Sequence, residues 1–336
     1  MNRSDPFPPF VFGIYPGGGA GSDEGEIKGP PDDPAQIEAA LHRLQGSAQP
    51  FIVRAYERYS DADAPSEWSP RTPAQYEQFI HSGRLLDLVV MFQSARGDVA
   101  GYLEFVRALI RQHSAYLYSI QITEEANFTD GPSAIDGPWP NVRDALVQGV
   151  MAAKEELRQR GCAAQVGFNS TPTFGSAAEF WTDIGARGGA PFLQALDYVG
   201  LDFFPDVFRP VAPDGESGDL TSATLSVLET LRNVWLPAAG IPASLPIHVT
   251  EHGWATDPTR TPERQNKVIE RVIRLIHDAR QRLNIARYTL FGLRDTDSSK
   301  PNFFYQFGLL RDDYSPKPAF QTYAKLIAEL SNQQPA

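Results

Sequence analysis

The chain alternates eight times between short β-type runs and amphipathic helical patterns, and this repetition limits the folds that it can adopt. The β-type runs are rich in Val, Ile, Tyr and Phe, which favour a pleated, buried surface. They occupy Phe10–Tyr15, Pro50–Ala55, Leu86–Phe92, Tyr116–Thr123, Ala163–Asn169, Tyr198–Phe204, Pro246–Glu251 and Ala286–Leu293. Dividing the 336 residues by eight gives 42 residues per unit. Regular strand–helix alternation predicts an α/β protein, a (β/α)8 TIM barrel with eight parallel strands.

Long connections after the strands indicate which end of this barrel carries a site. Connections that enter strands are short, whereas those that leave them are rich in Gly, Pro and Asp. The long connections are Pro16–Asp33, Asn127–Pro140, Pro205–Thr221 and Asp295–Phe307. Loops after the strands build the C-terminal face of a barrel, where enzymes of this architecture have their sites. We therefore expect functional residues at that face.

Capping residues indicate where several helices begin. Asp33 and Asp98 precede amphipathic patterns, and an aspartate there can accept hydrogen bonds from the first backbone N–H groups. Thr72-Pro73 has the form of an N-cap followed by proline at the first helical position, so we expect a helix there as well. No linker interrupts the pattern. Residues 1–336 are therefore predicted to form a single barrel, with flexible ends at residues 1–9 and 332–336.

Composition argues against several classes of function. The formal net charge is −11, which repels nucleic acid and anionic membranes, so neither is expected as a partner. The single cysteine, Cys162, excludes an intrachain disulfide. No apolar run reaches the roughly 18 residues needed to cross a bilayer. The first residues contain no apolar segment or cleavage site, so a cytoplasmic location is expected, with secretion left open if a signal is absent from this sequence.

Two carboxylates stand at the ends of two β-type runs. Glu125 follows the fourth run and Glu251 ends the seventh. They are 126 residues apart (251 minus 125), which is three units of 42 residues. We therefore expect both at the same height in the barrel, where a pair of acids can cleave a glycosidic bond.

Side-chain alternation predicts which of these acids point inward. In the fourth run, Gln121 and Glu125 belong to a polar phase that should face the lumen. Glu124 belongs to the outward phase, although the argument weakens where the strand ends. In the seventh run, period two puts Glu251 on the same side as Ile247, with its carboxylate at the rim over the barrel mouth.

The residues at the strand ends resemble motifs of glycoside hydrolase clan A, the retaining (β/α)8 hydrolases. Thr123-Glu-Glu-Ala-Asn127 is similar to the end of their fourth strand, and Thr250-Glu-His-Gly-Trp254 is similar to the T-E-x-G-W end of their seventh. The other similar segments are Val53-Arg-Ala-Tyr56, Asp197–Pro205 and Gly308–Phe320. The resemblance covers most of the chain, and the motifs are specific together rather than singly.

This resemblance implies a role for several residues. Glu251 matches the nucleophile, Glu125 matches the general acid/base, and Arg54 matches the arginine that hydrogen-bonds the nucleophile. Two positions depart from the pattern. Glu124 stands where an asparagine normally binds the sugar 2-hydroxyl, and Phe204 stands where a tyrosine is usual. The implied reaction is double displacement with retention of configuration.

Further sugar-binding residues are expected on the C-terminal loops. Aromatic rings can pack against the C–H faces of sugars, and ordinary packing in the core or loops is an equally open role for them. The aromatic candidates are Trp139, Trp254, Phe204 and Tyr15. The polar candidates are Glu124, Asn127, Asp202, His252, Arg294 and Asp295. Arg294 and Asp295 could instead form a surface salt bridge.

A metal site is not expected. His248-Val-Thr-Glu-His252 matches the H-x-x-E-H string of a zinc-protease helix. On a strand, however, the two histidines lie about 13 Å apart at about 3.3 Å per residue, too far to share one ion. We therefore expect no metal and no cofactor.

The expected activity is hydrolysis of β-glycosides, with an oligosaccharide, a polysaccharide or an aryl or alkyl glycoside as the carbohydrate substrate. The alternative is a catalytically impaired carbohydrate-binding barrel that keeps the carboxylates without turnover. Glu124 and Phe204 motivate this alternative because they depart from the family pattern. A metal hydrolase is a third class, which loss of activity on chelation would reveal.

Overall fold

The structure is a computed structural model that describes residues 10–22, 25–61, 68–130, 134–173, 177–208, 211 and 218–331. The predicted flexible ends, residues 1–9 and 332–336, lie outside these ranges, as do parts of the long loops. Within the described residues, no helix has both the length and the apolar character required to span a membrane.

Eight parallel strands form a closed barrel, as predicted. They are β1 (Val11–Tyr15), β2 (Phe51–Tyr59), β3 (Arg84–Phe92), β4 (Leu117–Ile122), β5 (Gln165–Ser170), β6 (Tyr198–Asp202), β7 (Ile247–His252) and β8 (Ile285–Phe291). Each strand pairs with its neighbours in the chain, and β1 also pairs with β8, which closes the sheet. All eight β-type runs of the sequence correspond to barrel strands.

Helices surround the barrel. They are α1 (Pro34–Gln45), α2 (Val99–His113), α3 (Val142–Gln159), α4 (Ala177–Ala195), α5 (Gly218–Thr230), α6 (Leu236–Ala238), α7 (Pro262–Leu283) and α8 (Pro318–Leu330). A π-helical segment, Leu231–Trp235, joins α5 to α6. Asp33 caps α1 by accepting hydrogen bonds from two backbone N–H groups, and Asp98 caps α2 in the same way with one. Gly189, with φ of +52°, kinks α4.

The helix predicted at Thr72-Pro73 is wrong. Thr72 lies in a two-residue strand, Arg71–Thr72, that pairs antiparallel with the end of β2. The described residues that follow contain only one 3-10 turn, Tyr76–Phe79, before β3 begins. Because the residue before a proline is disfavoured in the helical region, Thr72 is suited to this extended pairing. A second short sheet, Ala20–Ser22 with Gly25–Ile27, lies in the loop after β1.

The two faces of the strands carry different chemistry. On β4, Ile120 and Ile122 belong to the hydrophobic core shared with the helices, whereas Ser119 and Gln121 face the lumen. This division agrees with the predicted alternation. Apolar burial contributes about 25 cal/mol per Å², so the apolar layer between the strands and the helices supplies the main stabilisation of the fold. The lumen can therefore hold polar groups.

A buried ion network fills the barrel below its C-terminal mouth. Asp87 is fully buried between Arg54 Nη1 at 2.7 Å and Arg287 Nη2 at 3.0 Å, and it accepts a hydrogen bond from Ser119. Burial opposes ionisation of Asp87, but Arg287 and Arg54 outweigh it and lower the pKa to about 2. The network therefore fixes the Arg54 guanidinium beneath the residues at the mouth.

Candidate active site

A cavity of about 680 Å³ opens at the C-terminal end of the barrel. Glu124 and Glu125 reach it from the end of β4, and Glu251 reaches it from the end of β7. Tyr15 and Tyr56, from β1 and β2, also line it. The structure thus brings the two predicted acids to one cavity, on the face that the long loops indicated.

The end of β4 turns both of its glutamates inward. The strand stops at Ile122, and the backbones of Thr123 and Glu125 have φ of +63° and +47°. Alternation therefore ends before Glu124, whose side chain accepts a hydrogen bond from Gln121 Nε2 at 2.7 Å. The outward phase predicted for Glu124 is wrong for this reason.

The backbone of Glu125 is held from the neighbouring strand. Its N–H donates to Asn169 Oδ1 of β5 at 2.8 Å. Asn169 also donates from Nδ2 to Asp202 of β6. Because a non-glycine residue at positive φ is uncommon and strained, the hydrogen bond from Asn169 supports the conformation that presents Glu125 to the cavity.

A bulge in β7 turns Glu251 toward the lumen. Ile247 and Val249 pack in the outer core, whereas Thr250 faces inward and donates to Asp202 Oδ1 at 2.5 Å. Strict alternation would place Glu251 on the side of Ile247, as the sequence predicted. A register shift against β6 between Val249 and Glu251 breaks the alternation, and Glu251 joins the lumen side instead.

Two residues of β2 hold Glu251. Tyr56 donates its hydroxyl to Glu251 Oε1, and Arg54 Nη2 lies 3.5 Å from the same oxygen. Arg54 Nη2 is also 3.5 Å from Glu124 Oε2, so the two carboxylate oxygens are at most 7.0 Å apart (3.5 plus 3.5). The contact between Arg54 and Glu251 implied by the family resemblance is therefore present.

The carboxylates lie close together in a buried site, and this shifts their pKa values. Burial and the charge of Glu124 raise the pKa of Glu251 to about 7, although Arg54 and Tyr56 act in the opposite direction. Burial, Glu124 and Glu251 raise the pKa of Glu125 well above its ordinary value, and only weaker interactions oppose them. Burial and the neighbouring carboxylates therefore favour the protonated form of Glu125, whereas Arg54 and Tyr56 favour the ionised form of Glu251.

Three further predicted residues reach the cavity wall. Tyr15 stacks on Phe291 with ring centroids 5.1 Å apart, and Phe204 lies edge-on to the same ring at 6.4 Å. Asn127 also lines the cavity, but both ends of its amide are bonded to the backbone of Thr171, at 2.7 and 3.0 Å. Its amide therefore ties together the loops after β4 and β5.

Two predicted polar residues lie behind the wall. Asp202 is fully buried below the cavity, and burial together with Glu251 raises its pKa well above the ordinary value. His252 is fully buried against Tyr288, with Nδ1 2.6 Å from the tyrosine hydroxyl, and burial lowers its pKa to about 3. Neither residue lines the cavity, so neither is placed to contact a ligand there.

The predicted tryptophan platforms are also away from the cavity. Trp254 is 1% exposed and donates its indole N–H to Asp206 Oδ2 at 3.1 Å. Trp139 is partly buried against the hydrophobic core. Neither indole lines the cavity.

The pair after β8 is engaged in buried ion pairs. Arg294 donates to Asp32 at 2.8 Å, and Asp295 accepts from Lys317 at 2.7 Å. Their side chains are almost completely buried. The salt-bridge alternative therefore describes their contacts better than a sugar-binding role, except that the bridges are internal rather than on the surface.

Some residues of the wall escaped the sequence analysis. Tyr56 follows Arg54 by two positions on β2, and Phe291 ends β8, so strand phase alone could have indicated both. Arg58 continues the same phase of β2 and also lines the cavity. Asn169 carried no signal, because its role depends on contacts with two other strands.

Three carboxylates lie close enough to share a cation. Among the described residues, oxygens of Glu124, Glu125 and Asp202 lie within 4.8 Å of one another. An all-carboxylate set suits a hard ion such as Ca²⁺ or Mg²⁺ rather than zinc. Both oxygens of Asp202, however, already accept hydrogen bonds, from Asn169 and Thr250. These hydrogen bonds leave fewer lone pairs of Asp202 for a metal ion.

Solved structures of similar fold are glycoside hydrolases. A family 39 glycoside hydrolase from the gut symbiont Bacteroides cellulosilyticus WH2 matches with a TM-score of 0.59 and 16% identity, over 96% of this chain and 64% of that one. A β-glucosidase from Exiguobacterium marinum matches with a TM-score of 0.59 and 13% identity, over 96% and 99%. A β-glucuronidase from Bifidobacterium dentium matches with a TM-score of 0.55 and 16% identity, over 96% and 47%.

The chain has the fold of the (β/α)8 glycoside hydrolases. This confirms at the level of fold the resemblance that the motifs indicated. The chain spans 64% of the family 39 structure and 47% of the β-glucuronidase, so both proteins contain further residues. The sequence matches no protein-family profile, and no curated protein matches it.

Proposed function

We propose that this protein hydrolyses β-glycosides with retention, with Glu251 as the nucleophile and Glu125 as the general acid/base. The main observation behind the proposal is that two acids line one cavity but have different neighbours. Glu251 contacts the hydroxyl of Tyr56 and the guanidinium of Arg54, which favour its ionised form, whereas burial, Glu124 and Glu251 favour the protonated form of Glu125. Barrel glycoside hydrolases of similar fold agree with this reading.

In the first step, Glu251 attacks the anomeric carbon, and the bond from that carbon to the leaving oxygen breaks. Glu125 donates its proton to the leaving oxygen, so the aglycone departs as an alcohol. Arg54 keeps Glu251 ionised and oriented before attack. This mechanism requires the two carboxyl groups to be about 5–5.5 Å apart when substrate is bound.

In the second step, Glu125 acts as a base. Having lost its proton, it removes one from a water molecule, which attacks the anomeric carbon and releases Glu251. Two inversions give net retention. No step needs a metal or an organic cofactor. The two acids and the two residues that hold Glu251 come from β2, β4 and β7 or the turns directly after them; they are Arg54, Tyr56, Glu125 and Glu251.

Glu124 is proposed to bind a sugar hydroxyl as an acceptor. An asparagine at this position could both donate and accept, whereas an ionised glutamate can only accept. Its charge also raises the pKa of Glu125 and of Glu251. Glu124 therefore favours a protonated acid at neutral pH and disfavours an ionised nucleophile below it.

The raised pKa of Glu251 supports a second candidate function, a carbohydrate-binding barrel without turnover. A nucleophile with a pKa of about 7 is largely protonated in mildly acidic solution, and a protonated carboxyl is a poor nucleophile. A binding role would keep the cavity and its hydrogen-bonding groups while dispensing with a covalent intermediate.

Mechanism-based labelling distinguishes the two functions. A panel of p-nitrophenyl β-glycosides is assayed at pH 6 to 9, and 2-fluoro analogues of the same sugars are incubated with the protein before peptide mass spectrometry. We expect turnover of at least one glycoside and a covalent label on Glu251. Glu251→Ala should lower kcat by at least about 10³-fold, because it removes the nucleophile. Full activity in Glu251→Ala would exclude the mechanism, and sugar binding with neither label nor turnover would favour the binding barrel.

A further inference from the structure

The cavity lining has parts of different chemistry. One part carries the carboxylates after β4 and β7, together with the hydroxyl of Tyr15 and the side chain of Arg58. Five of the phenylalanines that line the cavity are joined by ring contacts and contain no hydrogen-bonding group in their side chains. They are here called the phenylalanine wall and are Phe204, Phe208, Phe291, Phe304 and Phe307. Val227 and Ala223 of α5 extend the same apolar surface.

The phenylalanine wall is continuous from the floor of the cavity to solvent. Phe204 is central, with ring centroids 6.4 Å from Phe291, 5.6 Å from Phe307 and 5.7 Å from Phe208. Phe291 forms the inner end next to the carboxylates, and Phe208 forms the outer end, where it is 55% exposed. A ligand whose sugar reaches Glu251 can therefore contact the wall along its remaining length.

A second sugar unit would fit poorly against the phenylalanine wall. Each hydroxyl buried without a partner costs about 1–3 kcal/mol, and the wall side chains offer none. Asp206, an acid of the lining two residues from Phe204 and from Phe208 in the sequence, already accepts hydrogen bonds from Trp254 at 3.1 Å and from Arg264 at 2.7 Å. An apolar group would instead bind more favourably in proportion to the apolar area of the wall that it covers.

We propose that the phenylalanine wall is the binding site for an apolar aglycone, so that the substrate class is an aryl or alkyl β-glycoside rather than an oligosaccharide or polysaccharide. This rests on the proposed function for the position of the sugar. The cavity volume of about 680 Å³ lies in the range of sites for small ligands, about 300–1,000 Å³. The exposure of Phe208 at the rim gives the wall an apolar surface that such an aglycone covers.

Alkyl glycosides test the proposal without changing the leaving-group chemistry. Methyl and hexyl β-glycosides of the same sugar leave as alcohols of similar acidity, so a difference in kcat/KM reports contacts of the alkyl chain. The sugar is the one that the p-nitrophenyl panel identifies, or glucose if the panel shows no turnover. A disaccharide with the same non-reducing sugar is the third substrate. We expect hexyl to exceed methyl at least about tenfold and the disaccharide to be the poorest of the three.

A matched pair of variants locates the effect. Phe208→Ser removes an exposed ring of the wall, and Val234→Ser removes an exposed apolar side chain of similar exposure, 53%, that does not line the cavity. Phe208→Ser should reduce the hexyl-to-methyl ratio of kcat/KM about three- to tenfold, because it removes apolar surface that only the longer chain reaches. Val234→Ser should leave the ratio as in the wild type.

Calorimetric binding keeps this test separate from catalysis. If no glycoside is turned over, the proposed hydrolase is wrong, but methyl and hexyl β-glucoside can still be titrated into the wild-type protein. Tighter binding of the hexyl compound that Phe208→Ser abolishes supports the apolar site. Equal binding of the two compounds, a preference for the disaccharide, or a hexyl preference that Phe208→Ser leaves intact would overturn it.

Discussion

At the scale of single residues, Glu251 is subject to opposing influences on its charge. Burial and Glu124 favour its protonated form, whereas Arg54 and the hydroxyl of Tyr56 favour its ionised form. The balance gives a pKa of about 7, so small changes around the carboxylate should move its titration visibly. Two substitutions should move it in opposite directions.

Glu124→Gln should shift the acidic limb of activity to lower pH. The substitution removes a negative charge close to Glu251, so the ionised nucleophile forms more readily and its pKa falls below 7. The hydrogen bond from Gln121 can be kept, because the new amide oxygen also accepts. The pH profile of kcat/KM measures the shift. Glu26→Gln is the control, since Glu26 also lines the cavity but is not among the groups that shift Glu251. A limb that stays in place, or moves upward, would contradict the assigned interaction.

Tyr56→Phe should shift the same limb to higher pH. It removes the hydroxyl that donates to Glu251, so the ionised carboxylate loses a partner and its pKa rises. A buried hydrogen bond to a charged group is worth about 1.5–3 kcal/mol, so kcat/KM at pH 7 should fall roughly 10- to 100-fold. Tyr15→Phe is the control, because its hydroxyl bonds to Gly19 and Thr72 instead. Equal losses in the two variants would mean that the hydrogen bond from Tyr56 to Glu251 has no specific effect on activity.

At the scale of elements, the positions of the strands and the inward direction of Glu125 follow from the sequence, but the directions of Glu124 and Glu251 do not. The β-type runs located all eight strands because β-branched and aromatic residues suit buried, pleated positions. The alternation along β4 was correct as far as Ile122, where regular pairing ends. Glu124 and Glu251 then departed from it, through positive φ in the turn after β4 and a bulge in β7.

These departures depend on neighbours that are distant in sequence. Asn169 of β5 fixes the backbone of Glu125, and the bulge in β7 arises from its pairing with β6. No local pattern contains such information. The tryptophan candidates failed for a related reason, because a loop position predicts which end of the barrel a residue occupies but not which way its side chain turns.

The loops after β4 and β5 are joined through one side chain, and removing it should weaken both. In Asn127→Ala the two hydrogen bonds to the backbone of Thr171 are lost. We expect the free energy of unfolding to fall by about 1–3 kcal/mol, because two backbone groups lose partners. Urea unfolding measures this change. Thr129→Ala, an exposed site in the same loop, should change it by less than about 0.5 kcal/mol. Equal stability of the two variants would show that Asn127 does not join the loops.

At the scale of the whole molecule, the barrel lumen concentrates acids that resist ionisation. Burial raises the pKa of Glu125 and of Asp202 well above their ordinary values, while Arg54 is shared among several carboxylates. Such groups keep their protons in the folded state and lose them when the chain unfolds. Their contribution to stability is therefore complete below the unfolded pKa, about 4, and is lost as the pH rises toward the folded pKa.

Above pH 7, the effect of these acids on stability can be distinguished from that of the buried histidines. Burial lowers the pKa of His248 and His252, so both are neutral in the folded state. Above pH 7 they are also mostly neutral when unfolded, at an ordinary pKa of about 6.5. Between the unfolded pKa and the raised folded pKa of each buried acid, the free energy of unfolding should therefore decrease as the pH rises. Each acid protonated only in the folded state contributes about 1.4 kcal/mol per pH unit to this decrease.

Asp202→Asn should make this decrease shallower. The amide cannot ionise, so one of the groups that lose protons on unfolding is removed. The free energy of unfolding of the variant should therefore rise relative to that of the wild type as the pH increases above 7. Asn169 can still donate to the new amide oxygen, and the hydroxyl of Thr250 can accept from its NH₂ group. Urea unfolding at several pH values measures the slope.

Asp183→Asn provides the matched control for that slope. Asp183 is ion-paired with Arg143 and Arg187, and its pKa is lowered, so it is ionised in both folded and unfolded states above pH 7. Its substitution should lower stability by a similar amount at every pH and leave the slope unchanged. If Asp202→Asn behaves in the same way, Asp202 is ionised in the folded barrel. The lumen would then hold one more negative charge than its burial and its carboxylate neighbours indicate.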